Sequence, residues 1–332
     1  MRPWPRPRTD GPIDLAQRFR DFAHREVNGN SPLYHRRALE IAEDPAVLAL
    51  IAALPTAKQQ PNLVLAAARV HGAIAVPYRD FREQLITHWP SIAATALTRR
   101  TQTNEAGRAA TLLPVLARLP GPLSLIEVGA SAGLCLYPDR YSNRYGALAL
   151  DPADGPSSVV LRCTTTGAVP IPQRLPEVVH RAGVDLNPLD AADIRDREWL
   201  EALVWPGQDD RLSRLRDACA IAAANPPTLV TGDLNERVAE LVDAAPGDST
   251  VVVFHSAVLT YLPSAAREGF IAAVRTLPCH WVSQEGTGVI AEFTDRVPVR
   301  DSGRARMVLA VDGEPVAYAG PHGQSLDWFG PA

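Results

Sequence analysis

Residues Leu123–Leu136 read LSLIEVGASAGLCL, and this stretch decides the fold. An apolar run comes first, an acid stands near its end, and small residues follow before a second apolar group. The run has the length of a strand, and the small residues predict a sharp turn from the strand into a helix. We therefore expect a buried strand whose carboxyl end opens onto a loop that a ligand can approach closely.

Two unrelated chemistries fit this loop. As Glu127-x-Gly129-x-Ser131-x-Gly133 it matches nucleotide-type cofactor binding, in which glycines allow a tight turn and N–H groups at the helix start face the ligand. As Gly129-x-Ser131-x-Gly133 it matches the nucleophile elbow of a serine hydrolase. Because neither pattern is specific alone, the rest of the chain has to decide between them.

Composition excludes several classes of protein. The chain has 332 residues, of which 46% are hydrophobic and 21% are charged, which suits one large domain or a domain with an accessory region. The formal net charge is -4 and the arginines are scattered, so the chain offers no electrostatic footprint for nucleic acid. Lys58 is the only lysine, which excludes a phosphate-loop lysine and Walker-type nucleotide hydrolysis.

Signals for metal, membrane and secretion are weak. The four cysteines lie far apart without a Cys-x-x-Cys pair, so neither a zinc site nor a disulfide scaffold is expected. No apolar run approaches the roughly 20 residues of a membrane span. The Pro- and Arg-rich start lacks the apolar core of a secretory signal. We expect a cytoplasmic protein with no metal, no membrane partner and no nucleic-acid partner.

Three regions follow from composition and periodicity. Residues 1–12 are rich in Pro and Arg and are expected to form a disordered tail. Residues 13–100 show helical spacing, with Ser31-Pro32 as one helix start, and predict an all-helical cap. Residues 101–332 predict a sheet domain with an insertion at about residues 137–180, which is rich in Pro, Gly and Thr.

Short apolar runs in the last region predict strands that alternate with helices. The runs are Leu123–Val128, Ala182–Leu186, Thr228–Val230, Thr250–Phe254 and Trp281–Ser283. The helical stretches are Asp196–Val204, Asp210–Ala224, Glu236–Ala244 and Ala265–Thr276. This alternation predicts an α/β fold with a mostly parallel sheet covered on both faces.

The C-terminal part has a different pattern, with two strands joined by a short turn and no helix between them. Met307–Val311 and Pro315–Tyr318 flank Asp312-Gly313, which predicts an antiparallel hairpin at one edge of the sheet.

Polar side chains stand where the predicted parallel strands end. Asp185 ends the second strand, and Asp233 follows the third. His255 and Tyr261 follow the fourth. Ligands of open α/β sheets bind at the carboxyl ends of the strands, so we expect these residues to converge with Glu127.

The order of these motifs resembles class I S-adenosylmethionine-dependent methyltransferases over roughly residues 103–320. The resemblance implies a Rossmann-like methyltransferase fold with S-adenosylmethionine as the cofactor. It further implies that Asp185 binds the ribose and that Asp233 lies near the adenine. The residues that it implies around the methionine part are Glu127, Gly129, Ser131 and Gly133.

Two departures from the methyltransferase pattern stand out. Ser131 occupies the position where Gly is usual, and Asp185 lies much further along than the roughly 20 residues expected after the glycines. Asp151, in Leu148-Ala-Leu-Asp151-Pro, has the better spacing for a ribose acid. We favour Asp185, because Gly-Val-Asp-Leu-Asn-Pro has the stronger strand-to-loop form.

More narrowly, the chain is similar over nearly its full length to a bacterial domain-of-unknown-function family, family 2332. The segments that carry this similarity are Ser31–Tyr34, Gln60–Leu63, Thr98–Glu105, Arg181–Asp190, Leu203–Pro206 and Phe254–Ala257. The family implies a fold and no established reaction.

A polar cluster precedes the first predicted strand. We expect Asn104 at the cofactor, and Arg99, Arg100, Gln102 and Glu105 at the substrate, where arginine would bind an anion with its planar fork. A capped helix start with solvated arginines is an equally good interpretation.

Three further side chains are candidates at the mouth of the sheet. His255 is the best general base, because an imidazole titrates near neutrality. Tyr261 would orient the substrate, and Glu285 would face the same mouth. Their structural alternatives are a hydrogen-bonded core histidine, a packed aromatic ring and a solvated acid.

The expected function is methyl transfer from S-adenosylmethionine to a small molecule. A non-catalytic protein that keeps the fold is the first alternative. A serine hydrolase is the second, because Ser131, an Asp and a late His such as His322 follow hydrolase order. The hydrolase interpretation gives Glu127 no role in the reaction, and it does not explain Asp185.

Overall fold

The computed structural model describes residues 14–102, 104–299 and 306–331. The tail expected over residues 1–12 lies outside these ranges. The α-helices are α1 (Leu15–Phe22), α2 (Pro32–Ala42), α3 (Pro45–Ala52), α4 (Pro61–Val70), α5 (Tyr78–Thr87), α6 (Trp89–Thr98), α7 (Ala109–Leu116), α8 (Ile194–Leu203), α9 (Asp209–Ala224), α10 (Leu234–Asp243) and α11 (Ser264–Val274).

The strands form two sheets. They are β1 (Leu123–Val128), β2 (Ser142–Tyr145), β3 (Leu148–Leu150), β4 (Val160–Arg162), β5 (Thr164–Thr166), β6 (Val178–Asp185), β7 (Thr228–Thr231), β8 (Thr250–Ser256), β9 (His280–Gly286), β10 (Met307–Val311), β11 (Glu314–Ala319) and β12 (Ser325–Trp328). The main sheet has nine strands in the order β5-β12-β11-β10-β9-β8-β1-β6-β7, and the small sheet has the order β3-β2-β4.

The chain divides into two compact units, which we call the helical unit and the sheet unit. The helical unit contains the helices before Asn104 together with Asp193–Arg216, and the sheet unit contains Asn104–Ala192 and the chain from Asp217 onward. Residues 193–216 lie inside the range expected for the sheet domain, and the structure groups them with the helices instead.

Local capping explains where helices of the helical unit begin. The Ser31 hydroxyl accepts a hydrogen bond from the backbone N–H of Tyr34, and Pro32 takes the first helical position of α2. The carboxylate of Asp44 accepts from two backbone N–H groups at the start of α3. A side-chain cap satisfies N–H groups that have no partner inside the helix. The helix start expected at Ser31-Pro32 is confirmed.

Tryptophans from the second stretch of the helical unit pack into its core. Trp199 of α8 is 1% exposed, and its indole N–H donates to the backbone oxygen of Arg100 at 3.0 Å. The indole N–H of Trp205 donates to the Asn62 side-chain oxygen at 2.9 Å. Ser31 donates from its hydroxyl to the backbone oxygen of Pro206 at 2.8 Å. Segments that are far apart in the sequence are thus partners within one unit.

The sheet unit has a parallel centre and an antiparallel edge. β7, β6, β1, β8 and β9 pair in parallel, and β10, β11 and β12 continue the sheet as antiparallel neighbours. The expected α/β class with a mostly parallel sheet is confirmed. The antiparallel hairpin is present as β10–β11, but it does not form the edge of the sheet, because β12 and β5 lie further out. Asp312 and Gly313 both have positive φ, 51° and 83°, which is typical of a two-residue hairpin turn.

The parallel order reverses at β1. The chain runs outward from β1 through β6 to β7, and it then returns to the other side of β1 to form β8 and β9. Loops that follow β1 and β8 therefore leave the sheet at a topological switch point, where a crevice opens in such folds.

One face of the main sheet packs against α10 and α11. Ile126, Val128 and Val253 pack with α10 and α11 in one continuous core. Since side chains alternate along a strand, Glu127 lies on the opposite face.

The insertion contains strands that the sequence analysis did not predict. β2, β3 and β4 form the small sheet, and β5 pairs in parallel with β12 at the outer edge of the main sheet. Each of these strands has three or four residues. Segments this short cannot display an alternating pattern, which explains why they were missed. In the described part of the chain, no helix is long and apolar enough to cross a membrane.

Candidate functional site

The loop after β1 is fixed to the neighbouring strand. Val128 stands opposite Val184 of β6. The backbone N–H groups of Gly129 and Ala130 both donate to the Val184 oxygen, at 2.8 and 3.1 Å. Gly129 has φ +73°, and a Cβ there would overlap the side chain of Val258. Glycine is required here by packing within the protein.

The helix expected directly after this loop is absent, and this part of the prediction was wrong. A single 3-10 turn, Leu134–Leu136, follows Gly133, and the chain then enters the small sheet. Pro138 explains the stop, because proline within the first turns would remove a helical N–H and clash with the preceding turn. The loop therefore has no helix N-terminus behind it.

Asp185 holds the loop in shape. Its Oδ2 accepts the backbone N–H of Ser131 at 2.9 Å, and its Oδ1 accepts the N–H of Asn187 at 2.8 Å. Ser131 has φ +52°, a left-handed conformation that costs about 1–2 kcal/mol for a residue with a side chain. The hydrogen bond from Ser131 to Asp185 stabilises that conformation.

Asp151 lies elsewhere. It follows β3 of the small sheet, accepts from the Ser142 hydroxyl, and pairs with Arg144 at 2.8 Å. These hydrogen bonds, first that from Ser142, lower the pKa of the Asp151 carboxyl. The acid at the end of the strand beside β1 is Asp185.

Ser131 does not have the surroundings of an elbow nucleophile. Its hydroxyl oxygen is buried and has no hydrogen-bond partner. A hydrolase needs a base in contact with that oxygen and a helix behind the turn, and neither is found at this loop.

Glu127 carries a buried carboxyl group on the face opposite α10 and α11. The residue is 6% exposed, and its Oε2 has no hydrogen-bond partner. Burial raises the pKa of Glu127 well above its ordinary value, and the nearby Asp185 carboxylate adds to this, while Arg108 acts in the opposite direction. Burial without a full set of partners therefore favours the protonated form of this carboxyl group.

Asn104 and Glu105 flank the same loop. The Asn104 side-chain oxygen lies 3.4 Å from the backbone N–H of Leu134, and its Nδ2 is buried without a hydrogen-bond partner. Glu105 is 3% exposed and accepts the Gly107 N–H at 3.0 Å. Its backbone oxygen accepts from the Cys135 thiol at 3.4 Å.

The segment that holds Asp233 is connected to Asp185 by a backbone hydrogen bond and not by the Asp233 side chain. The N–H of Gly232 donates to the Asp185 backbone oxygen at 3.1 Å. Asp233 itself is exposed and caps α10, accepting the Asn235 N–H at 2.8 Å. It therefore stands at the same edge of the sheet as Asp185, and its carboxylate serves as a helix cap.

His255 occupies a different place from the one predicted. It is fully buried on the α11 side, where Trp281 stacks on its ring and Phe270 meets it edge-on. The Trp281 indole N–H donates to Nε2 at 3.0 Å, so the ring proton is on Nδ1, which donates to Glu285 at 2.8 Å. Both ring nitrogens are occupied, which leaves none to accept a substrate proton.

Glu285 is the centre of this second cluster. It is 2% exposed, and its Oε1 also accepts the backbone N–H groups of Val258 and Leu259 at 2.9 and 3.0 Å. The acid expected at the mouth of the sheet thus binds the turn that follows β8.

The remaining candidates belong to a turn of the sheet unit and to the helical unit. Tyr261 is 77% exposed in the turn after β8. Arg99, Arg100 and Gln102 belong to the helical unit. Within that unit Arg99 forms a part-buried ion pair with Asp196 at 2.5 Å, so it is not the solvated arginine of the structural alternative.

Three further side chains lie beside Glu127 and Glu105. The sequence analysis did not select Cys135 or Arg108, and it considered His322 only as the histidine of a hydrolase. The Cys135 thiol contacts Glu105, and burial raises the pKa of Cys135 well above its ordinary value. The Arg108 guanidinium donates to the backbone oxygens of Ser256 and Pro321, both at 2.9 Å. His322 Nδ1 lies 3.6 Å from Glu105 Oε2. In the sequence, only the glycines around His322 indicated that the chain makes a close approach there.

Gly323→Ala tests how tightly the β11–β12 turn packs on this cluster. We expect a loss of about 2–4 kcal/mol in the free energy of unfolding, from backbone strain and overpacking. Gly323 has φ +78°, and its Cβ would overlap the backbone oxygen of Gly107. Gly288→Ala is the control, with φ +82° and no atom within 4 Å of a Cβ. Equal losses in urea-induced unfolding would contradict the tight packing.

The fold and the site define a mixed α/β protein with a mostly parallel main sheet. The chain belongs to a bacterial family described as an uncharacterised protein conserved in bacteria (DUF2332), whose profile matches residues 16–328. The membership expected from the sequence is confirmed. No curated protein and no solved structure matches the chain.

Proposed function

We propose that the chain binds S-adenosylmethionine at the carboxyl ends of β1 and β6 and transfers its methyl group to a small molecule. The proposal takes the class I methyltransferase arrangement as its frame: a Rossmann-like order of parallel strands, with the cofactor beside the first strand. The strand order β7-β6-β1-β8-β9 supports this frame, because it provides a switch point at β1.

The observation that carries the proposal is a set of unsatisfied polar atoms around the loop. Glu127 Oε2, Ser131 Oγ and Asn104 Nδ2 are all buried and have no hydrogen-bond partner. Leaving such an atom unpaired costs about 1–3 kcal/mol, so three around one loop indicate a ligand that pairs with them.

The types of these atoms suit an amino-acid group. The Asn104 amide is a donor for a carboxylate, the Glu127 carboxyl is a partner for an ammonium group, and the Ser131 hydroxyl can donate or accept. The methionine part of the cofactor has both a carboxylate and an ammonium group. These residues therefore fit the group that the resemblance implies.

Charge favours the same ligand. Burial favours the protonated form of a carboxyl group, and a cation beside it favours the ionised form. The Arg108 charge already acts on Glu127, and a second cation brought by the ligand would favour the ionised form further. Affinity for a cation would therefore be coupled to the release of protons.

When bound, the cofactor supplies an electrophilic methyl group on a positively charged sulfur. The chain then has to hold donor and acceptor in line. Asp185 fixes the loop through Ser131, and Glu127 and Asn104 would orient the amino-acid end. Ribose would lie toward Asp185, as the resemblance implies.

Asp185→Asn is expected to weaken the binding of S-adenosylmethionine and S-adenosylhomocysteine about tenfold in isothermal titration. One of the two backbone N–H groups that Asp185 accepts would then face the asparagine NH2 group, which is itself a donor. Roughly one hydrogen bond would be lost. Asp151→Asn is the matched control and should leave both affinities unchanged. If the unaltered chain takes up neither ligand at high micromolar concentration, it is a fold without this cofactor, as in the non-catalytic alternative.

A further inference from the structure

We infer that His322, positioned by Glu105, is the side chain that accepts the acceptor's proton at this site. The inference rests on the proposed function, and it replaces the role expected for His255. His255 is 0% exposed with both nitrogens occupied, whereas the His322 side chain is 38% exposed. Only a ring that a substrate can reach is able to take its proton.

Glu105 provides the orienting acid. Its Oε2 lies 3.6 Å from His322 Nδ1, and the Glu105 side chain is 3% exposed. Its other oxygen accepts the Gly107 N–H, which prevents the carboxylate from swinging away. At 3.6 Å the two groups are within ion-pair distance, so the carboxylate attracts the imidazole once the ring is charged.

The backbone is built to bring the two residues together. A Cβ at Gly107 would overlap the His322 backbone oxygen, and one at Gly323 would overlap the Gly107 oxygen. The Gln324 side chain also accepts the His322 backbone N–H at 2.9 Å. Two glycines thus permit a backbone contact that sets an imidazole beside a buried acid.

Two links join this pair to Glu127. Arg108 donates to the backbone oxygen of Pro321, next to His322, and its charge acts on Glu127. Cys135 contacts the Glu105 backbone and the Glu127 carboxyl. The pair and the cofactor loop therefore belong to one cluster of side chains.

Topology places His322 at the correct edge of the sheet. β11 pairs antiparallel with β10, which pairs antiparallel with β9, so β11 runs in the same direction as β9. The turn after β11, which holds His322, therefore lies at the carboxyl edge of the parallel strands. His280 offers a contrast: it pairs with Asp312 at 2.8 Å and is also 38% exposed, but it begins β9 and lies at the opposite edge.

The step balances without a further reactant. A lone pair of the acceptor forms the new bond to the methyl carbon, and the carbon–sulfur bond breaks with its electron pair remaining on sulfur. The acceptor's proton passes to the His322 imidazole and from there to water.

The test uses the full chain, S-adenosylmethionine with a deuterated methyl group, and the small-molecule fraction of a bacterial extract. Mass spectrometry measures labelled product, and isothermal titration measures cofactor affinity. His322→Ala is expected to keep the affinity within about twofold and to lower transfer roughly 100-fold or more. Added imidazole should restore part of the lost rate, which it would not do for a structural role. Glu105→Gln should give a smaller loss.

The matched control is His280→Gln, which should change neither quantity. Transfer at the unaltered rate in His322→Ala, with affinity intact, would overturn the role of His322 and leave the proposed function standing. A loss that imidazole does not restore would also overturn it. Cofactor binding without any labelled product from the unaltered chain would end the proposed transfer, and the role of His322 with it.

Discussion

Glu127→Gln is expected to weaken the binding of S-adenosylmethionine roughly 10- to 100-fold. The reason is that a hydrogen bond to a charged group contributes about 1.5–3 kcal/mol, and the glutamine amide cannot become an anion beside the ammonium group. Isothermal titration in two buffers with different heats of ionisation would also detect proton release on binding, because a cation beside the buried carboxyl favours its ionised form. Glu127→Gln should abolish that release. Binding of equal strength, or unchanged proton release, would contradict the role of Glu127.

The same substitution should not weaken the fold. The Glu127 pKa is raised in the folded chain, so the folded state keeps a proton that the unfolded state loses above its ordinary value near 4.5. The free energy of unfolding of the unaltered chain therefore falls as pH rises from there to the raised pKa. Without cofactor, Glu127→Gln should gain stability relative to it across that window. Glu240→Gln, a 58% exposed acid paired with Arg237, should show no such trend.

Glu285→Ala is expected to lower the free energy of unfolding by about 3–5 kcal/mol, because it removes the acceptor for three buried donors. Those donors are the His255 ring N–H and the backbone N–H groups of Val258 and Leu259. Glu285→Gln keeps an acceptor oxygen and should lose less. Urea-induced unfolding measures both.

The control for this cluster is a surface acid. Glu43→Ala removes an ion pair with Arg20 in which the Glu43 side chain is 72% exposed, and it should cost less than about 1 kcal/mol. If Glu285→Ala cost no more than that, the cluster around His255 would not be a structural centre.

The positions of the central strands could be anticipated because their apolar runs are long enough to recognise, whereas their order in the sheet was not predicted. Leu123–Val128 matches β1 at both ends, and the Asp312-Gly313 hairpin was marked by its turn residues. The direction of β6, β7, β8 and β9 followed from the helices between them. Strands of three or four residues, such as β5 and β12, left no pattern, since they are held by pairing with distant segments.

The site was harder to anticipate because it depends on which face a side chain takes. Glu127 and Asp185 were identified by their positions at strand ends, and both lie at the loop. His255 has an equally suggestive position, but alternation along β8 turns it into the α11 core. His322 comes from a turn more than 200 residues after Glu105, and contacts between segments that distant cannot be derived from local spacing.

The composite make-up of the helical unit has a consequence for synthesis on the ribosome. The core around Trp199 and Trp205 requires residues 193–216, which emerge only after β1 through β6 have been made. The first six helices therefore emerge with part of their apolar surface exposed. They can bury it only after the first strands of the sheet and residues 193–216 have left the exit tunnel. A chain cut at Asn104 would leave neither part intact, because α8 would lose its partners and the N-terminal fragment would lack Trp199 and Trp205.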